Sequence, residues 1–578
     1  MFKLLKYLKW YEWIMVVTVV SIIVFQVNLE MELIEKMGEI IGLIQSHAQG
    51  IISLTSGMLW EVGLKMILIA FGICVSIVIV NLLASKIAAG FSGRLRYNVF
   101  KKVNSFSMEE MNKFSTASLI TRSINDVKQV EQTVFIALRM AITAPVMGGY
   151  AVSKIVGSSI ELTWATVGAL GLMLALVLFL FFIAVPRFSK IQQKTDKINN
   201  VTRENLTGIR VVRAYNAEKE QEQKFETVNN DLTKTQLFVN RVMSIMWPGM
   251  DFIMNGLSIA IYWIGAYLIN ANMLGYDTMV IFVQYAMHVI MSFMFIALLF
   301  VVIPRGVVSA RRISEVLSTQ SKIDDGNGVN PKQYGTIEFR NVSFRYPDAE
   351  MNVLENISFK VNKGETIAFI GSTGSGKSTL VNLIPRFFDA TYGDIYIDGE
   401  NIKDYKLEDL NRKIGYVPQK GYLFSGTIKS NLLYGNETAT EDDMWKALKI
   451  SQSDFVEGLE KGLDYEISQG GTNVSGGQRQ RLSIARAIIK KPEIYIFDDS
   501  FSALDYKTDK NLRKALKNYT SDATKVIVAQ RVGTIIDADK IVVLDEGKMV
   551  GFGTHEELLQ NCEVYKEIAL SQLSKEEL

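Results

Sequence analysis

The residues best suited to chemistry lie in the stretch GSTGSGKS, which runs from Gly371 to Ser378. The apolar stretch TIAFI precedes it and the helical pattern TLVNLIPRFF follows it, so a strand is predicted to lead into the loop and a helix to leave it. Glycines at this spacing let backbone N–H groups point inward around an anion. The motif predicts a P-loop, whose candidate phosphate-binding residues are Gly371, Ser372, Thr373, Gly374, Ser375, Gly376, Lys377, Ser378 and Thr379.

Three side chains have specific expected roles around ATP and Mg²⁺, the cofactors that a P-loop implies. The Lys377 ammonium should reach the β- and γ-phosphates, and the Ser378 hydroxyl should ligate Mg²⁺. Downstream, in IYIFDDSFSALD, Asp498 ends a short apolar strand. A carboxylate there fits the acid that holds Mg²⁺ in P-loop enzymes, although an N-cap aspartate would leave the same local pattern.

The stretch VSGGQRQRLSIARAI, just upstream of Asp498, resembles the signature motif of ATP-binding cassette (ABC) transporters. The segments 118–131 and 204–226 resemble the two intracellular loops of that family's six-span exporters, so the resemblance covers essentially the whole chain. It implies that Tyr346 stacks on adenine. It also implies that Gln419, in YVPQ, is the Q-loop residue and a further Mg²⁺ ligand.

The same resemblance implies that two subunits share each ATP. Contacts to the γ-phosphate of an ATP held by the opposite subunit would come from Ser475, Gly476, Gly477 and Gln478. The segment 502–505 would be the D-loop that crosses the dimer interface. The physical chemistry agrees, because SGG before a helix is a second N-terminal anion site. Two P-loop and signature faces can then clamp ATP between them.

Two positions depart from the pattern of the family. Its general base, a glutamate after the Mg²⁺ acid, is Asp499, whose side chain is shorter by about one methylene. A displacement of ~1 Å from productive geometry can lower a rate about 10²-fold. Its switch histidine is Gln530, in IVAQR, and glutamine can neither carry positive charge nor shuttle a proton. The loop YEISQGG also lacks the acid often found near Gln469.

Both departures fall in the site of this chain's own P-loop, whereas the signature motif is intact. We therefore predict a weakly hydrolytic site here and a functional signature contributed to a partner's site. The favoured interpretation is a heterodimer whose partner carries the glutamate and the histidine, as in a known subgroup of bacterial ABC exporters. The alternative is a homodimer in which Asp499 works as a slow base.

Six apolar stretches in the first ~320 residues predict a membrane domain. Runs of about 20 residues reach the ~30 Å hydrocarbon thickness at ~1.5 Å per residue. A stretch near 134–156 is interrupted by Arg139 and Lys154, whereas five others carry no charge: 13–29, 66–85, 162–186, 252–276 and 278–304. Six such stretches exclude a soluble P-loop ATPase.

Loop charges predict the orientation of these spans. Residues 86–130 carry eight Lys/Arg against three Asp/Glu, and residues 30–60 carry four Glu and one Lys. By the positive-inside rule, the N-terminus and residues 86–130 are cytoplasmic. We therefore expect a multi-pass protein of the cell membrane with its nucleotide-binding domain in the cytoplasm. The cytoplasmic loops around 107–117 and 211–220 would transmit ATP-driven closure to the spans.

The second half of the chain has a different pattern. A Gly/Asn/Asp-rich linker at 320–335 precedes the alternating strand TIEFRNVSFRY, and compact apolar strands separated by helical stretches follow. The predicted architecture is a membrane all-α six-helix transmembrane domain (1–319) followed by an α/β P-loop ATPase domain (336–578) with a largely parallel sheet. The net charge of +2 gives no reason to expect a nucleic-acid partner.

The sequence says less about the transported substrate than about the ATP site. The expected substrates are hydrophobic or amphipathic compounds, drug-like or lipid-like. The sixth span carries methionines and aromatics that can adapt to apolar ligands: Met287, Met291, Met294, Tyr285, Phe293 and Phe295. Charged or polar residues near the spans, Asp251, Arg139 and His288, are candidate cavity groups or structural contacts. Other function classes considered are an ATP-gated channel or regulatory subunit, and an importer.

Overall fold

The computed structural model describes residues 2–53, 55–332, 334–347 and 349–572. The chain forms two compact units. The first comprises residues 1–102 and 117–318, and the second comprises residues 103–116 and 319–578. The short helix within 103–116 thus belongs with the second unit.

The first unit is entirely helical and contains six helices long and apolar enough to cross a membrane. After a 3₁₀ turn at Phe2–Tyr7, the helices of the first 318 residues are α1 (Trp10–Ala48), α2 (Ser56–Asn104), α3 (Met108–Phe114), α4 (Thr116–Thr121), α5 (Val127–Val156), α6 (Ile160–Thr207), α7 (Ile209–Ala214), α8 (Glu218–Ser244), α9 (Met246–Asn270) and α10 (Tyr276–Ser318). A π-helical segment, Arg122–Asp126, joins α4 to α5. The prediction of six spans is confirmed.

Most of these helices extend well beyond a membrane. The apolar run of α6 ends at Pro186, and the helix continues with a charged surface to Thr207. It packs against α8, with Lys194 donating to Asp231 at 2.6 Å. Polar helical extensions therefore continue the spans beyond their apolar runs, as the length and polarity of the segment 187–245 predict.

The second unit is built on one ten-stranded sheet in the order β5-β4-β1-β2-β12-β11-β3-β10-β9-β6. A separate two-stranded ribbon pairs β7 with β8. The strands are β1 (Ile337–Phe344), β2 (Leu354–Val361), β3 (Thr366–Gly371), β4 (Tyr392–Ile397), β5 (Glu400–Asn401), β6 (Ile414–Val417), β7 (Gly426–Thr427), β8 (Glu466–Ile467), β9 (Ile494–Asp498), β10 (Thr524–Val528), β11 (Lys540–Asp545) and β12 (Lys548–Gly553).

Helices cover this sheet. They are α11 (Lys377–Leu383), α12 (Leu407–Lys413), α13 (Ile428–Leu433), α14 (Glu441–Ile450), α15 (Gly476–Ile489), α16 (Tyr506–Tyr519), α17 (Val532–Ile535), α18 (His555–Asn561) and α19 (Glu563–Gln572). Alternate residues of β3 enter two different hydrophobic clusters, Ile367 and Phe369 in one and Ala368 and Ile370 in the other. Burial on both faces explains why this strand is an uninterrupted apolar run in the sequence.

Strands β11, β3, β10, β9 and β6 run parallel to one another, and of these the sequence predicted β3, β9 and β10. The pairing of Val528 with both Phe369 and Asp498 brings the carboxyl ends of β3, β9 and β10 to one edge. Strands β1, β2, β4 and β5 form an antiparallel half, of which the sequence predicted only the first strand. The parallel half positions the candidate site.

The helix α3 begins with a well-formed cap. Ser107 and Glu110 form a reciprocal capping box, and Glu110 also accepts from the backbone N–H of Lys322 at 3.2 Å. Burial alone would raise the pKa of Glu110, but these hydrogen bonds outweigh it and the pKa is lowered. Glu110 therefore holds α3 to the first residues that follow α10 within the second unit.

Candidate nucleotide-binding site

The P-loop joins β3 to α11, and its lysine lies inside the loop. Lys377 is 9% exposed. Its Nζ donates to the carbonyl oxygens of Gly371 at 2.8 Å and Ser372 at 2.7 Å. Burial lowers the pKa of Lys377, although the nearby carboxylates of Asp498 and Asp499 act in the opposite direction. The predicted phosphate-binding cation therefore lies beside both acids of the site.

Two glycines give the loop its shape. Gly376 is the N-cap of α11 with φ of +94°, and a Cβ there would lie 2.7 Å from Cδ2 of Leu354. Gly374 has φ of +87°, and a Cβ on it would meet no atom within 4 Å. Both conformations favour glycine. The open space beside Gly374 leaves the backbone accessible to a phosphate.

Two of the three predicted Mg²⁺ ligands lie together. The hydroxyl of Ser378 donates to Oδ1 of Asp498 at 2.8 Å. Asp498 is 5% exposed, and burial raises its pKa, while the Ser378 hydrogen bond acts in the opposite direction. A hydroxyl and a carboxylate are the hard oxygen ligands that Mg²⁺ takes beside substrate phosphates. A bound Mg²⁺ would supply positive charge to the β- and γ-phosphate oxygens.

Asp499 is held by its backbone and by its carboxylate. Its φ is +47°, in the left-handed region that aspartate tolerates, and its N–H donates to the carbonyl of Val528 at 3.0 Å. One carboxylate oxygen, Oδ2, accepts from Nε2 of Gln419 at 3.1 Å and from Nε2 of Gln530 at 2.8 Å. Burial raises the pKa of Asp499, and the Gln419 hydrogen bond is the first of the effects that oppose it.

The predicted Q-loop residue Gln419 and the residue at the degenerate switch position, Gln530, thus both donate to one oxygen of Asp499, the residue at the degenerate base position. Asp499 follows β9, Gln530 follows β10, and Gln419 follows β6, so the parallel half of the sheet delivers all three. The third predicted Mg²⁺ ligand, Gln419, hydrogen-bonds to Asp499. Two neutral amides that donate to a carboxylate orient it without transferring a proton to it.

The predicted adenine contact, Tyr346, is attached to the P-loop helix. Its hydroxyl lies 3.1 Å from Oγ1 of Thr379. Its ring packs edge-on against Phe344 and Phe388, at centroid distances of 4.9 Å and 5.4 Å. The ring is therefore fixed beside the first turn of α11, where the base of a P-loop nucleotide can be stacked.

The signature residues start α15, a helix of 14 residues. The Ser475 hydroxyl accepts from the N–H of Gln478 at 3.2 Å, and the Ser475 N–H donates to Oε1 of Gln478 at 2.9 Å. Ser475 and Gly476 are exposed, and a Cβ on Gly476 would meet no atom within 4 Å. This open helix N-terminus suits an anion. The carbonyl of Ala503, in the predicted D-loop, would lie 3.4 Å from a Cβ on Gly477.

Two family models match this chain. The model of the ABC transporter transmembrane region matches residues 59–293, and the ABC transporter model matches residues 354–502. An uncharacterized ABC transporter ATP-binding protein of Mycobacterium tuberculosis is 39% identical over 499 residues, which are 85% of each chain. This chain belongs to the ABC transporter family.

Other comparisons agree with this assignment. YfiB of Bacillus subtilis, also an uncharacterized ABC transporter ATP-binding protein, is 36% identical over 502 residues, 85% of this chain and 86% of YfiB. A Staphylococcus aureus protein, whose name assigns it provisionally to multidrug export, is 31% identical over 513 residues, 86% of this chain and 89% of that protein. A bacterial Atm1-family ABC exporter has the same fold, with a TM-score of 0.81, 22% identity and coverage of 97% and 98%. The chain is an exporter-type ABC half-transporter with an ATPase unit.

One contact in the ATPase unit of this ABC transporter was missed from the sequence. Gln572, the last residue of α19, donates from Nε2 to the carbonyl of Gln530 at 2.9 Å and accepts from the N–H of Val532 at 2.8 Å. The Gln572 side chain therefore hydrogen-bonds to the backbone of Gln530, the predicted switch residue, and to that of Val532. Nothing in the sequence near Gln572 could have indicated this, because the two partners lie about 40 residues earlier in the chain.

The membrane unit of the ABC transporter contains a cavity of about 340 Å³. Apolar residues and polar residues share its wall: Met140, Met147, Met287, Met291, Phe295, Ile77, Val80, Gln26, Glu30, Asn81, Arg139, Thr143 and His288. Of the predicted cargo residues, Met287, Met291, Phe295, Arg139 and His288 line it. Asp251, Tyr285, Phe293 and Met294 are not part of this wall, and Asp251 is exposed.

The polar groups of this cavity have few partners. Glu30 accepts from Nε2 of Gln26 at 2.9 Å, and His288 lies 2.9 Å from the carbonyl of Gln284 in its own helix. The Arg139 guanidinium stacks on Phe135 at 5.5 Å and forms no hydrogen bond with the residues that the structure describes. Charged groups within spans are costly, so those that face a cavity are candidates for cargo contacts.

Proposed function

We propose that this ABC exporter half works in a heterodimer as the subunit with the degenerate ATP site. Its P-loop binds ATP and Mg²⁺ with Lys377, Ser378 and Asp498, and its signature motif completes the hydrolytic site of a second half-transporter. That partner carries the catalytic glutamate and the switch histidine. ATP hydrolysis at the partner's P-loop then resets the transport cycle, while the site described here keeps its ATP longer.

The observation that carries this proposal is the environment of Asp499. A general base must take a proton from water, and it must reach the water that attacks the γ-phosphate. The Asp499 carboxylate is one methylene shorter than glutamate and is held by two amide donors on the same oxygen. Gln530 stands where a histidine would be able to carry charge. These features favour nucleotide binding over cleavage.

The signature end of α15 supports the second half of the proposal. Ser475 caps α15 and is exposed, so the N-terminus of this helix is open to the γ-phosphate of an ATP bound by another subunit. A chain with an unreactive P-loop site and an intact signature motif can support ATP hydrolysis in a dimer whose other subunit has a reactive P-loop site. We propose the cell membrane as its location, with the ATPase unit in the cytoplasm.

The cavity of the membrane unit supports a hydrophobic or amphipathic cargo. Methionine side chains adapt their shape to different apolar ligands, and four of them contribute to this wall: Met140, Met147, Met287 and Met291. Arg139 and Glu30 offer charge to a polar end of the ligand. The provisional multidrug-export name of the Staphylococcus aureus relative agrees with a drug-like cargo.

The experiment that tests the proposal compares ATP hydrolysis by this chain alone and together with a candidate half-transporter that carries the catalytic glutamate and the switch histidine. We expect slow hydrolysis by the chain alone and an increase of at least tenfold when the two chains co-purify. Equal rates with and without the partner would favour a homodimer with Asp499 as a slow base. Flux without ATP turnover would favour an ATP-gated channel.

A further inference from the structure

A basic pocket lies between α6 and α8 in the membrane unit. It has a volume of about 450 Å³. We define the basic pocket by Arg187, Lys190, Lys194, Lys234, Thr235 and Phe238, and Pro186 completes its wall. Neither the transport cycle nor the ATP site described above uses these residues.

The charge of the basic pocket is mostly uncompensated. Lys194 donates to the carboxylate of Asp231 at 2.6 Å and to Oγ1 of Thr235 at 2.7 Å. By contrast, the ammonium groups of Lys190 and Lys234 form no hydrogen bond or ion pair with any residue in the described part of the chain, and both lysines are exposed. Of the four cations in the wall, only Lys194 is ion-paired with a carboxylate of a described residue, which leaves positive potential in a concave site.

Arg187 contributes a flat surface as well as charge. Its guanidinium stacks on the ring of Phe238 at 4.2 Å, and its Nη1 donates to the carbonyl of Ile183 at 2.9 Å. A guanidinium carries five N–H donors in a fixed fork. Several of these donors thus remain for an oxyanion, and stacking keeps the fork in one orientation.

The depth of the basic pocket matches the inner surface of the membrane. The uncharged run 162–186 is long enough to cross the ~30 Å hydrocarbon layer, so Arg187 is the first charge on its cytoplasmic side. Phe188 and Trp247 are 47% and 60% exposed. Exposed aromatic rings next to the end of an apolar run are typical of the headgroup level.

We propose that the basic pocket binds the phosphate diester of an anionic phospholipid from the cytoplasmic leaflet. Arginine and lysine are the phosphate-binding side chains, and basic pockets between helices on the cytoplasmic side suit anionic headgroups. The apolar surfaces of Phe238 and Pro186 provide a wall for the glycerol and the first carbons of the acyl chains. A soluble phosphate ester has the same oxyanion, but it would gain nothing from this apolar wall.

The test uses the full-length protein in a nonionic detergent, with native mass spectrometry as the readout. Phosphatidylglycerol, phosphatidylcholine and glycerol phosphate are titrated separately. The proposal expects one phosphatidylglycerol to be retained per chain at concentrations where phosphatidylcholine is not retained. It also expects glycerol phosphate neither to bind nor to displace the lipid. Binding of glycerol phosphate as tight as that of the lipid would overturn the assignment to a phospholipid.

A pair of matched double variants locates the site. The exchange Lys190→Gln with Lys234→Gln removes one exposed cation from each helix of the basic pocket, and it should weaken phosphatidylglycerol binding about tenfold or more. The exchange Arg203→Gln with Lys219→Gln removes two exposed cations from the same two helices, about 20 Å further along α6. That control should keep the affinity within about twofold.

Two outcomes would contradict a defined lipid site at the basic pocket. Equal weakening in the two double variants would show a general attraction of anionic lipid to positive charge and would overturn the proposal. Unchanged affinity in the Lys190→Gln, Lys234→Gln variant would do the same. Exposed lysines tolerate this exchange with little effect on folding, so the binding measurement is interpretable. The readout is independent of ATP hydrolysis.

Discussion

Asp499 reaches its two glutamine partners through a short side chain on a left-handed backbone. Aspartate tolerates this conformation better than glutamate does, and its single methylene places Oδ2 within 3.1 Å of both amide nitrogens. A carboxylate with two donors on one oxygen is fixed in place. Under the proposed function, this residue orders the end of β9 and contributes little as a base.

The sequence predicted Asp499, Gln530 and Gln419 as site residues, but it did not predict that they contact one another. Asp499 and Gln530 were found because they replace the glutamate and the histidine of a family motif, and Gln419 because it stands in the Q-loop. Their convergence on one oxygen depends on the order of β6, β9 and β10 in the sheet. Strand order is a tertiary property, so local spacing could not provide it.

The exchange Asp499→Asn tests the role of this carboxylate. Asparagine keeps the size and an acceptor oxygen for Gln419 and Gln530, but it cannot act as a base. We expect the ATP turnover of the assembled transporter to stay within about threefold of the wild-type rate, because the partner's glutamate supplies the base. A loss of 10²-fold or more in steady-state turnover would identify Asp499 as the working base.

The exchange Ser475→Ala tests the signature face. It removes the hydroxyl that caps α15 and that would contact the γ-phosphate in the partner's site. Losing a hydrogen bond to a charged group costs about 1.5–3 kcal/mol, so we expect turnover to fall about ten- to a hundredfold.

The matched control for that variant is Thr554→Ala. Thr554 forms the same kind of capping box at the start of α18, through Glu557. Its exchange costs a similar cap, about 1 kcal/mol, away from any predicted nucleotide contact. Turnover should stay near wild type in the control. Equal losses in both variants would mean that Ser475 acts only as a helix cap.

At the scale of elements, α19 is hydrogen-bonded to the segment that follows β10. Gln572 bonds to the backbone on both sides of Arg531, through the Gln530 carbonyl and the Val532 N–H. The segment that carries Gln530 is thereby held to the last described turn of the chain. This couples the position of the Gln530 side chain to the docking of α19.

The exchange Gln572→Ala should loosen this segment. The Val532 amide loses its acceptor, and a hydrogen bond worth about 1 kcal/mol corresponds to about fivefold faster amide exchange. Hydrogen–deuterium exchange of the peptide containing Val532 measures this directly. The control is Ser571→Ala, because the Ser571 hydroxyl donates to the carbonyl of Ile568 within its own helix and to no other group among the described residues. Unchanged exchange in Gln572→Ala would show that α19 does not hold the segment.

A second element-scale feature is the buried histidine that starts α18. His555 is 8% exposed, its Nδ1 lies 2.7 Å from the Tyr565 hydroxyl, and its Nε2 has no partner among the described residues. Burial lowers the pKa of His555 below its usual 6.5. The folded state therefore keeps the ring neutral at a pH where the unfolded chain binds a proton.

This histidine should make the ATPase unit less stable in mild acid. Below about pH 6.5 the unfolded state binds more protons than the folded state, so the free energy of unfolding falls as the pH falls. In calorimetric scans of the full chain between about pH 7 and pH 5.5, His555→Gln should reduce this acid-dependent loss. His47→Gln, at an exposed position, should not. An identical pH profile for His555→Gln and wild type would contradict this.

The elements differ in how well the sequence predicted them. The six spans were predicted because hydropathy is a local property that an uncharged run such as 278–304 displays by itself. The antiparallel strands β2, β4 and β5 were not predicted, since β5 has only two residues and β2 and β4 are only partly buried, so that their pairing depends on their neighbours. Placement of α3 in the second unit depends on the contact between Glu110 and Lys322, which are about 200 residues apart.

At the scale of the whole molecule, this chain is half of a transporter. Its ATPase unit contains one P-loop face, with Asp499 and Gln530 at the end of the sheet, and one signature face with an exposed helix N-terminus. In the proposed heterodimer these two faces belong to different composite ATP sites. The two ATP molecules of one transporter then have unequal roles, and the inequality follows from two residues, Asp499 and Gln530.

The most direct test asks which chain holds the product of hydrolysis. The assembled transporter is incubated with a photoactivatable azido-ATP, trapped with vanadate and irradiated, and the nucleotide attached to each chain is identified. Vanadate traps ADP only after cleavage. The account predicts ADP on the partner chain and uncleaved nucleotide on this chain. Trapped ADP on this chain, at a rate equal to that on the partner, would contradict it.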